Sequence, residues 1–341
     1  MSLPKQILSI LVLLLSYCPF TTSAQGGTEP YSFLNIPSSA RAYAMGGANF
    51  SFLDSSDPAL AMQNPALLGA ESDKTVSLSY MHYMGSSNFA SALFSKSTGI
   101  HGAWAAGLRY LNYGSFEGAD IDGSPTGSFT PQDIVASGIY THDITERLRG
   151  GVSLRFVYST YESYTAIALA ADLGINYYDE EHDTSLSAVL RNMGGQVKRF
   201  DSRYQRLPFN ICLGWSQGIG RTPLTLSISA NNLVRWRLPY YDRDEESETI
   251  ELKQNFVSNL FRHLIFALDV SPSAHFHATL AYNYKTRTDM ATYHRNFLSG
   301  FSIGAGFNVK SFAVDAAFAQ PHRGAASLML TLSCNLNELL R

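Results

Sequence analysis

Apolar and polar residues alternate one by one through fourteen separate stretches of this chain. That alternation limits the fold more tightly than any other property of the sequence. The stretches run at about 75–84, 88–97, 100–112, 133–142, 148–159, 166–177, 184–192, 208–217, 222–232, 262–270, 274–286, 297–307, 311–319 and 325–336. Leu224, Leu226 and Ile228 interleave with Thr225, Ser227 and Ser229, and Leu328, Leu330 and Leu332 with Thr331 and Ser333. A period of two places successive side chains on opposite faces of a strand. The stretches 88–97 and 133–142 alternate less cleanly than the others.

Alternation alone also fits a soluble sandwich, so the polar face must decide. A sandwich turns that face to bulk water and covers it with Lys, Glu and Arg. Here it carries mostly Ser, Thr, Asn, Gly and Ala. Charged residues are only 16% of the 341, against roughly a quarter in soluble domains. Small hydroxyl and amide groups suit an enclosed interior, where polar groups pair with one another and long charged chains lack room. Stretches of about 9–11 residues match a tilted strand crossing a bilayer. Only a closed sheet satisfies every backbone group there. The sequence therefore predicts an all-β fold, a transmembrane antiparallel β-barrel of about fourteen strands.

The connections point the same way. Those at 98–99, 143–147, 178–183, 218–221, 271–273 and 308–310 are short, whereas 113–132, 193–207, 233–261 and 287–296 are long. Short and long fall on opposite ends of the barrel, apart from three short turns near 85–87, 160–165 and 320–324 on the long-loop side, as in outer-membrane barrels with short periplasmic turns. An even strand count puts both termini at the short-turn end. A net charge of −3 gives no electrostatic reason to expect nucleic acid.

Lys5, the apolar run 7–15 and the small residues Thr22-Ser23-Ala24 read as a signal peptide, residues 1–24, cleaved near Ala24. Cys18 follows a loose lipobox, but Tyr17 is too large for the preceding position. Cys212 sits on the polar register and Cys334 on the apolar one, so the two face opposite sides of the wall and form no disulfide.

Residues 25–74 do not read as a strand. Gly46-Gly47 permits a tight backbone path, and Asn64-Pro65 favours a turn. This small-residue segment is expected to fold into the mouth of the barrel as a hatch, leaving 75–341 as the wall. Its order of Phe33-Leu34-Asn35-Ile36-Pro37, Ala40-Arg41-Ala42, Met45-Gly46-Gly47-Ala48, Asp54 and Asn64-Pro65-Ala66-Leu67 resembles the PorV/PorQ family. These are outer-membrane barrels of the type IX secretion system, distantly similar to FadL-type fatty-acid barrels, and the PorQ-like branch is the nearer match. The motif covers about 40 residues; the rest agrees in length and barrel pattern. The resemblance implies a fourteen-strand barrel with a hatch, in the outer membrane, anchoring a PorZ-like surface protein in the cargo attachment complex. PorU, PorV-like components and lipopolysaccharide would be its neighbours. Glu338-Leu339-Leu340-Arg341 lacks the terminal aromatic common in such barrels.

No catalytic motif stands out. There is no CxxC zinc spacing and no HExxH run, so neither an enzyme nor a cofactor nor a metal site is expected. His275 and His277 share a strand face, read as polar lining. Asp172, Asp269 and Asp315 fall inward, where Arg109, Arg155 or Arg191 could pair with them. Function is expected in the long loops. Trp236, Tyr240 and Tyr241 are the residue types enriched at hot spots, and they precede the acidic run 242–251. Arg199 and Arg203 lie on the neighbouring basic loop. Together these five are the expected partner-binding residues. The alternatives are a FadL-like channel for a hydrophobic small molecule and a PorV-like shuttle for secreted cargo.

Overall fold

The computed structural model describes residues 31–83, 85–120, 122, 124–243, 250–253, 255–289, 297–322 and 325–339. The expected signal peptide and residues 25–30 lie outside the described residues. Eighteen strands follow one another: β1 (Thr75–His82), β2 (Asn88–Ser97), β3 (Gly102–Asn112), β4 (Phe116–Ala119), β5 (Pro125–Phe129), β6 (Gln132–Thr145), β7 (Leu148–Tyr161), β8 (Tyr164–Asp179), β9 (Thr184–Lys198), β10 (Asn210–Gly218), β11 (Leu224–Ala230), β12 (Tyr240–Arg243), β13 (Ile250–Lys253), β14 (Leu264–Ser273), β15 (Phe276–Asn283), β16 (Phe301–Val309), β17 (Phe312–His322) and β18 (Ala325–Asn335).

Fourteen of these strands close into one antiparallel barrel. Each pairs with its neighbour in sequence along the wall, and β1 completes the ring against β18. The two remaining pairs, β4 with β5 and β12 with β13, are hairpins within the long connections. Closure leaves no free sheet edge, which is what a wall in hydrocarbon requires.

The two registers separate as the alternation demands. Leu78, Leu154, Leu186, Leu280, Ile303, Leu330 and Leu332 are exposed on the outside, while Ser77, Ser91, Ser153, Ser187, Thr279 and Ser333 are buried inside. Water would reverse that distribution. Cys212 is buried in the interior, Cys334 is half-buried on the outward register, and both are free thiols.

Four of the differences from the sequence reading at strand ends have a local cause. β9 runs to Lys198 instead of residue 192, because a bulge at Asn192 (φ 56°) turns both Arg191 and Asn192 inward. The stretch 262–270 begins as helix, since Phe256–His263 is helical up to Leu264. The stretch 274–286 ends at Asn283, after which Tyr284–Asp289 forms a helical turn. Residues 297–300 form a turn before Phe301.

Residues 31–74 lie inside the wall. They form short helical turns: Ser32–Asn35, Ala40–Ala44, Pro58–Met62, Pro65–Leu67 and Ala70–Ser72. Most of their side chains are buried.

Candidate functional site

The hatch is held by polar contacts to the wall as well as by apolar packing. Ser39 caps the helix Ala40–Ala44 by accepting from the Ala42 amide at 3.3 Å. The first orphan amide of that helix, Ala40, donates 2.7 Å to Thr331 Oγ1 on β18. At the other end, Ser302 of β16 donates to the Ala44 carbonyl at 3.0 Å. The helix is thus fastened to the wall at both termini. Gly46 and Gly47 (φ 81° and 86°) follow it, in the left-handed conformation that ends a helix at low steric cost. Asn283 on β15 donates 3.1 Å to the Gly46 carbonyl.

Asn64-Pro65 forms the second fixed corner. Asn64 Oδ1 accepts from the Ala66 amide at 3.0 Å, and Nδ2 donates to the Phe50 carbonyl at 2.6 Å. Two wall glycines make room for it. A methyl on Gly151 would lie 2.6 Å from the Ala66 nitrogen, and one on Gly174 would lie 2.1 Å from Asn64 Oδ1. The hatch motif residues Gly46, Gly47, Asn64 and Pro65 are therefore all points where the plug bends or touches the wall.

Buried charge ties plug to wall. Arg41 lies 3.1 Å from Asp269 on β14 and 3.4 Å from Asp54 in the plug. Arg155 pairs with Asp172 across β7 and β8, donates to the Met62 carbonyl at 2.6 Å, and reaches Asn192 at 2.8 Å. Asp172 in turn accepts from the Asn192 amide at 2.7 Å. Arg109 and Arg191 donate instead to plug carbonyls, Arg109 to Leu34 at 3.2 Å and Arg191 to the same oxygen at 3.5 Å. The expected histidine pair is split. His277 meets Asp315 at 2.7 Å in the interior, whereas His275 stands exposed in the turn after β14.

Towards the long-loop end the interior changes character. Met81, Phe89, Leu111, Val135, Val157, Ala168 and Met329 from seven wall strands surround Tyr31, Phe33 and Leu34 of the plug. Tyr43, Tyr83, Tyr113 and Phe200 pack on them. Rings run in a chain from Tyr113 to Tyr161 (6.0 Å), Phe200 (5.0 Å) and Tyr31 (6.4 Å). One carboxylate sits among them. Asp133 accepts from the Tyr113 hydroxyl at 2.6 Å and from the Tyr161 hydroxyl at 2.9 Å. Sequence reasoning missed this vestibule. Its members stand at strand ends, where one inward apolar residue looks like a break in alternation.

The five expected partner-binding residues stand in different local settings. Trp236 is 42% exposed and stacks on the His263 ring at 5.0 Å. Tyr240 is 9% exposed and lies beneath the Arg262 guanidinium, 4.8 Å away. Its ring packs against that buried arginine. Tyr241 pairs through its backbone with Leu252 in the β12–β13 hairpin. Arg199 donates to the Ser202 carbonyl at 3.2 Å and lies over the Tyr204 ring. Arg203 is exposed on the same loop.

Comparison with known families finds no match, and comparison with curated proteins finds none either. Solved structures share the fold. The Pseudomonas putida toluene transporter TodX superposes with a TM-score of 0.55 at 12% identity, over 89% of this chain and 99% of its own. The Ralstonia pickettii toluene transporter TbuX gives 0.54 at 12% identity, over 89% and 100%. The monoaromatic hydrocarbon channel CymD gives 0.51 at 10% identity, over 89% and 97%. At such identities the likeness speaks for the fold: a fourteen-strand barrel of the outer-membrane type.

Proposed function

We propose that this chain is a non-enzymatic outer-membrane barrel that admits a hydrophobic small molecule at its long-loop end, with residues 31–74 as the plug that shifts to let it pass. The observation that carries this reading is the aromatic and aliphatic vestibule around Tyr31, Phe33, Leu34 and Phe200. Among the described residues it is the largest of the apolar clusters that join plug and wall. Apolar walls with a few convergent polar groups are the usual build of a small-molecule site. Phe200 belongs to an outer loop, Tyr31 to the plug and Tyr161 to the wall, so an incoming apolar molecule must part contacts between all three. The fold shared with the toluene transporters agrees with this reading.

Uptake of toluene into proteoliposomes tests it. The purified barrel should speed uptake over empty vesicles, and Phe200→Ala should change that rate with the barrel still folded. Uptake equal to that of empty vesicles rejects the channel reading.

A second reading rests on a different observation. The plug is pinned by Arg41, Arg155, Arg109 and by both ends of the helix Ala40–Ala44. A plug so fastened suits a barrel that only anchors a partner. The hatch motif resembles the PorQ-like branch, which would make that partner a PorZ-like surface protein of the type IX attachment complex, near PorU, PorV-like components and lipopolysaccharide. A stoichiometric PorZ-like protein co-purifying from detergent-solubilised outer membrane, together with no toluene uptake, would favour anchoring. Many different cargo proteins in its place would favour a PorV-like shuttle.

A further inference from the structure

The helix Phe256–His263 is inside out for a water-soluble loop. At about 100° per residue, Phe256, Val257, Leu260 and Phe261 occupy one half of its circumference, and Ser258, Asn259, Arg262 and His263 the other. The polar half is the more deeply buried: Arg262 and His263 are covered, while Ser258 and Asn259 are half-buried, as is Leu260 of the apolar half. Arg262 is 4% exposed and His263 1%, while Phe256 is 67%, Val257 62% and Phe261 42% exposed. Every polar side chain on the hidden half is engaged. Ser258 donates to the Tyr240 hydroxyl at 3.1 Å, and Asn259 accepts from the Leu238 amide at 2.8 Å. Arg262 reaches Asp289 at 2.6 Å, and the His263 ring nitrogens face the Asn231 and Trp236 carbonyls at 2.9 and 3.0 Å. These contacts fix the helix about its own axis. Its apolar half is held outward.

That outward half continues a surface already defined. The helix passes into β14 without a linker, at His263 and Leu264. Phe261 packs on Phe266, 6.1 Å between rings, and Phe266 lies on the outward register between buried Ile265 and Ala267. Phe266 stands opposite Tyr282, and Tyr282 opposite Phe301, so three rings cross β14, β15 and β16 at one level. Tyr282 and Phe301 lie 4.8 Å apart, and Phe297 stacks on Phe301 at 6.2 Å. Aromatic side chains gathered at one height on the outside of a barrel mark the edge of the hydrocarbon.

We propose that the helix Phe256–His263 lies in the bilayer interface at the long-loop end, with Phe256, Val257, Leu260 and Phe261 buried among acyl chains. It is an interfacial amphipathic helix built into a barrel rim. The occupant is lipid, because the apolar half runs unbroken into the face that acyl chains already cover. A protein partner would have to strip lipid from Phe266, Tyr282 and Phe301 to bind there. The helix would clamp the connection between β11 and β14 to the membrane surface on that side.

The test uses the full-length barrel in phosphatidylcholine vesicles, with Trp104, Trp215 and Trp236 each replaced by Phe. Val257→Trp then supplies one fluorophore on the proposed lipid face. Phe116→Trp in the β4–β5 hairpin supplies one that is exposed but away from it. Lipid brominated near the headgroup end of its acyl chains should quench Val257→Trp by about half, as contact with acyl chains requires, and leave Phe116→Trp nearly unchanged. Heat-modifiable gel mobility confirms that each variant is folded. If Val257→Trp fails to fold, Phe256→Trp takes its place. Quenching no greater than that of Phe116→Trp overturns the proposal. So does a Trp that iodide reaches freely in vesicles and loses only when a protein partner is added, which would give the face to that partner.

Discussion

Arg41, carried by the plug, places its guanidinium 3.1 Å from the carboxylate of Asp269 on the wall strand β14, with both side chains almost fully buried. Asp54 holds the same guanidinium from within the plug at 3.4 Å. Removing one partner of a buried pair leaves the other charged and unmet, which costs about 3–5 kcal/mol. Arg41→Ala should lower the unfolding free energy by that order in a urea titration. It should also raise the conductance of the barrel in a planar bilayer, because the plug loses its link to β14. Asp269→Asn keeps a hydrogen-bond acceptor and should do less on both measures. A silent Arg41→Ala would mean that the helix caps and the Arg155 and Arg109 contacts hold the plug without it.

Gly46 and Gly47 share a left-handed backbone but not a neighbourhood. A methyl on Gly46 would lie 2.4 Å from Ile265 Cγ2, whereas one on Gly47 meets nothing within 4 Å. Gly47→Ala should therefore lose only the backbone term, about 1 kcal/mol. Gly46→Ala should lose that and an overpacking term of about 1–3 kcal/mol. The two unfolding midpoints measure the difference. Equal midpoints would show that the plug moves away from β14 to accept the methyl.

The wall was legible because lipid on one side and a confined lumen on the other make every strand report its facing. All fourteen stretches read from alternation are wall strands. Legibility failed where that logic lapses. At Asn192 a bulge places two adjacent side chains inward, so the period breaks although the strand continues. The helix Phe256–His263 escaped notice because its eight residues lie within a long connection and its pattern changes to a helical period only briefly. The vestibule was hidden because its wall members come from eight strands, most of which give a single residue, and meet the plug only when the barrel closes. The packing of Tyr240 against Arg262 was not legible, because nothing in its neighbourhood of sequence reveals that residue. Arg41 stood in plain view in the hatch motif, but Asp269, its partner, is distant in sequence and is brought to it only by closure of the barrel.

The seam between the first and last strands has its own polar clasp at the short-turn end. Asp73, just before β1, accepts from Asn337 Nδ2 at 2.7 Å and from the Ser97 amide at 2.9 Å. These bonds, the one from Asn337 foremost, hold its carboxyl below the ordinary value of 3.8. A carboxylate whose folded value is depressed stabilises the fold above its unfolded value and loses that contribution as pH falls through the folded one. Wild type should therefore exceed Asn337→Ala in unfolding midpoint at neutral pH. The gap should narrow as pH drops below about 4 and close once Asp73 is protonated in both. A gap that persists into strong acid would assign the effect to packing of the Asn337 side chain.

Loss of partner capture is informative only at residues the fold can spare, and the loops contain both kinds. Tyr240 covers the Arg262 guanidinium and its hydroxyl meets Ser258. Tyr240→Ala should uncover a buried arginine and lower stability by about 1–3 kcal/mol, and any loss of binding would follow from that. Arg203 is exposed in the loop between β9 and β10. Arg203→Glu should leave the unfolding midpoint within about 0.5 kcal/mol of wild type while reversing the local charge. If the barrel anchors a surface protein through these loops, Arg203→Glu reduces its co-purification and slows its association most at low salt, as a rim charge does. Capture unchanged by Arg203→Glu at every salt concentration would remove the basic loop from the docking surface. The exposed face of Trp236 would then be the next position to test.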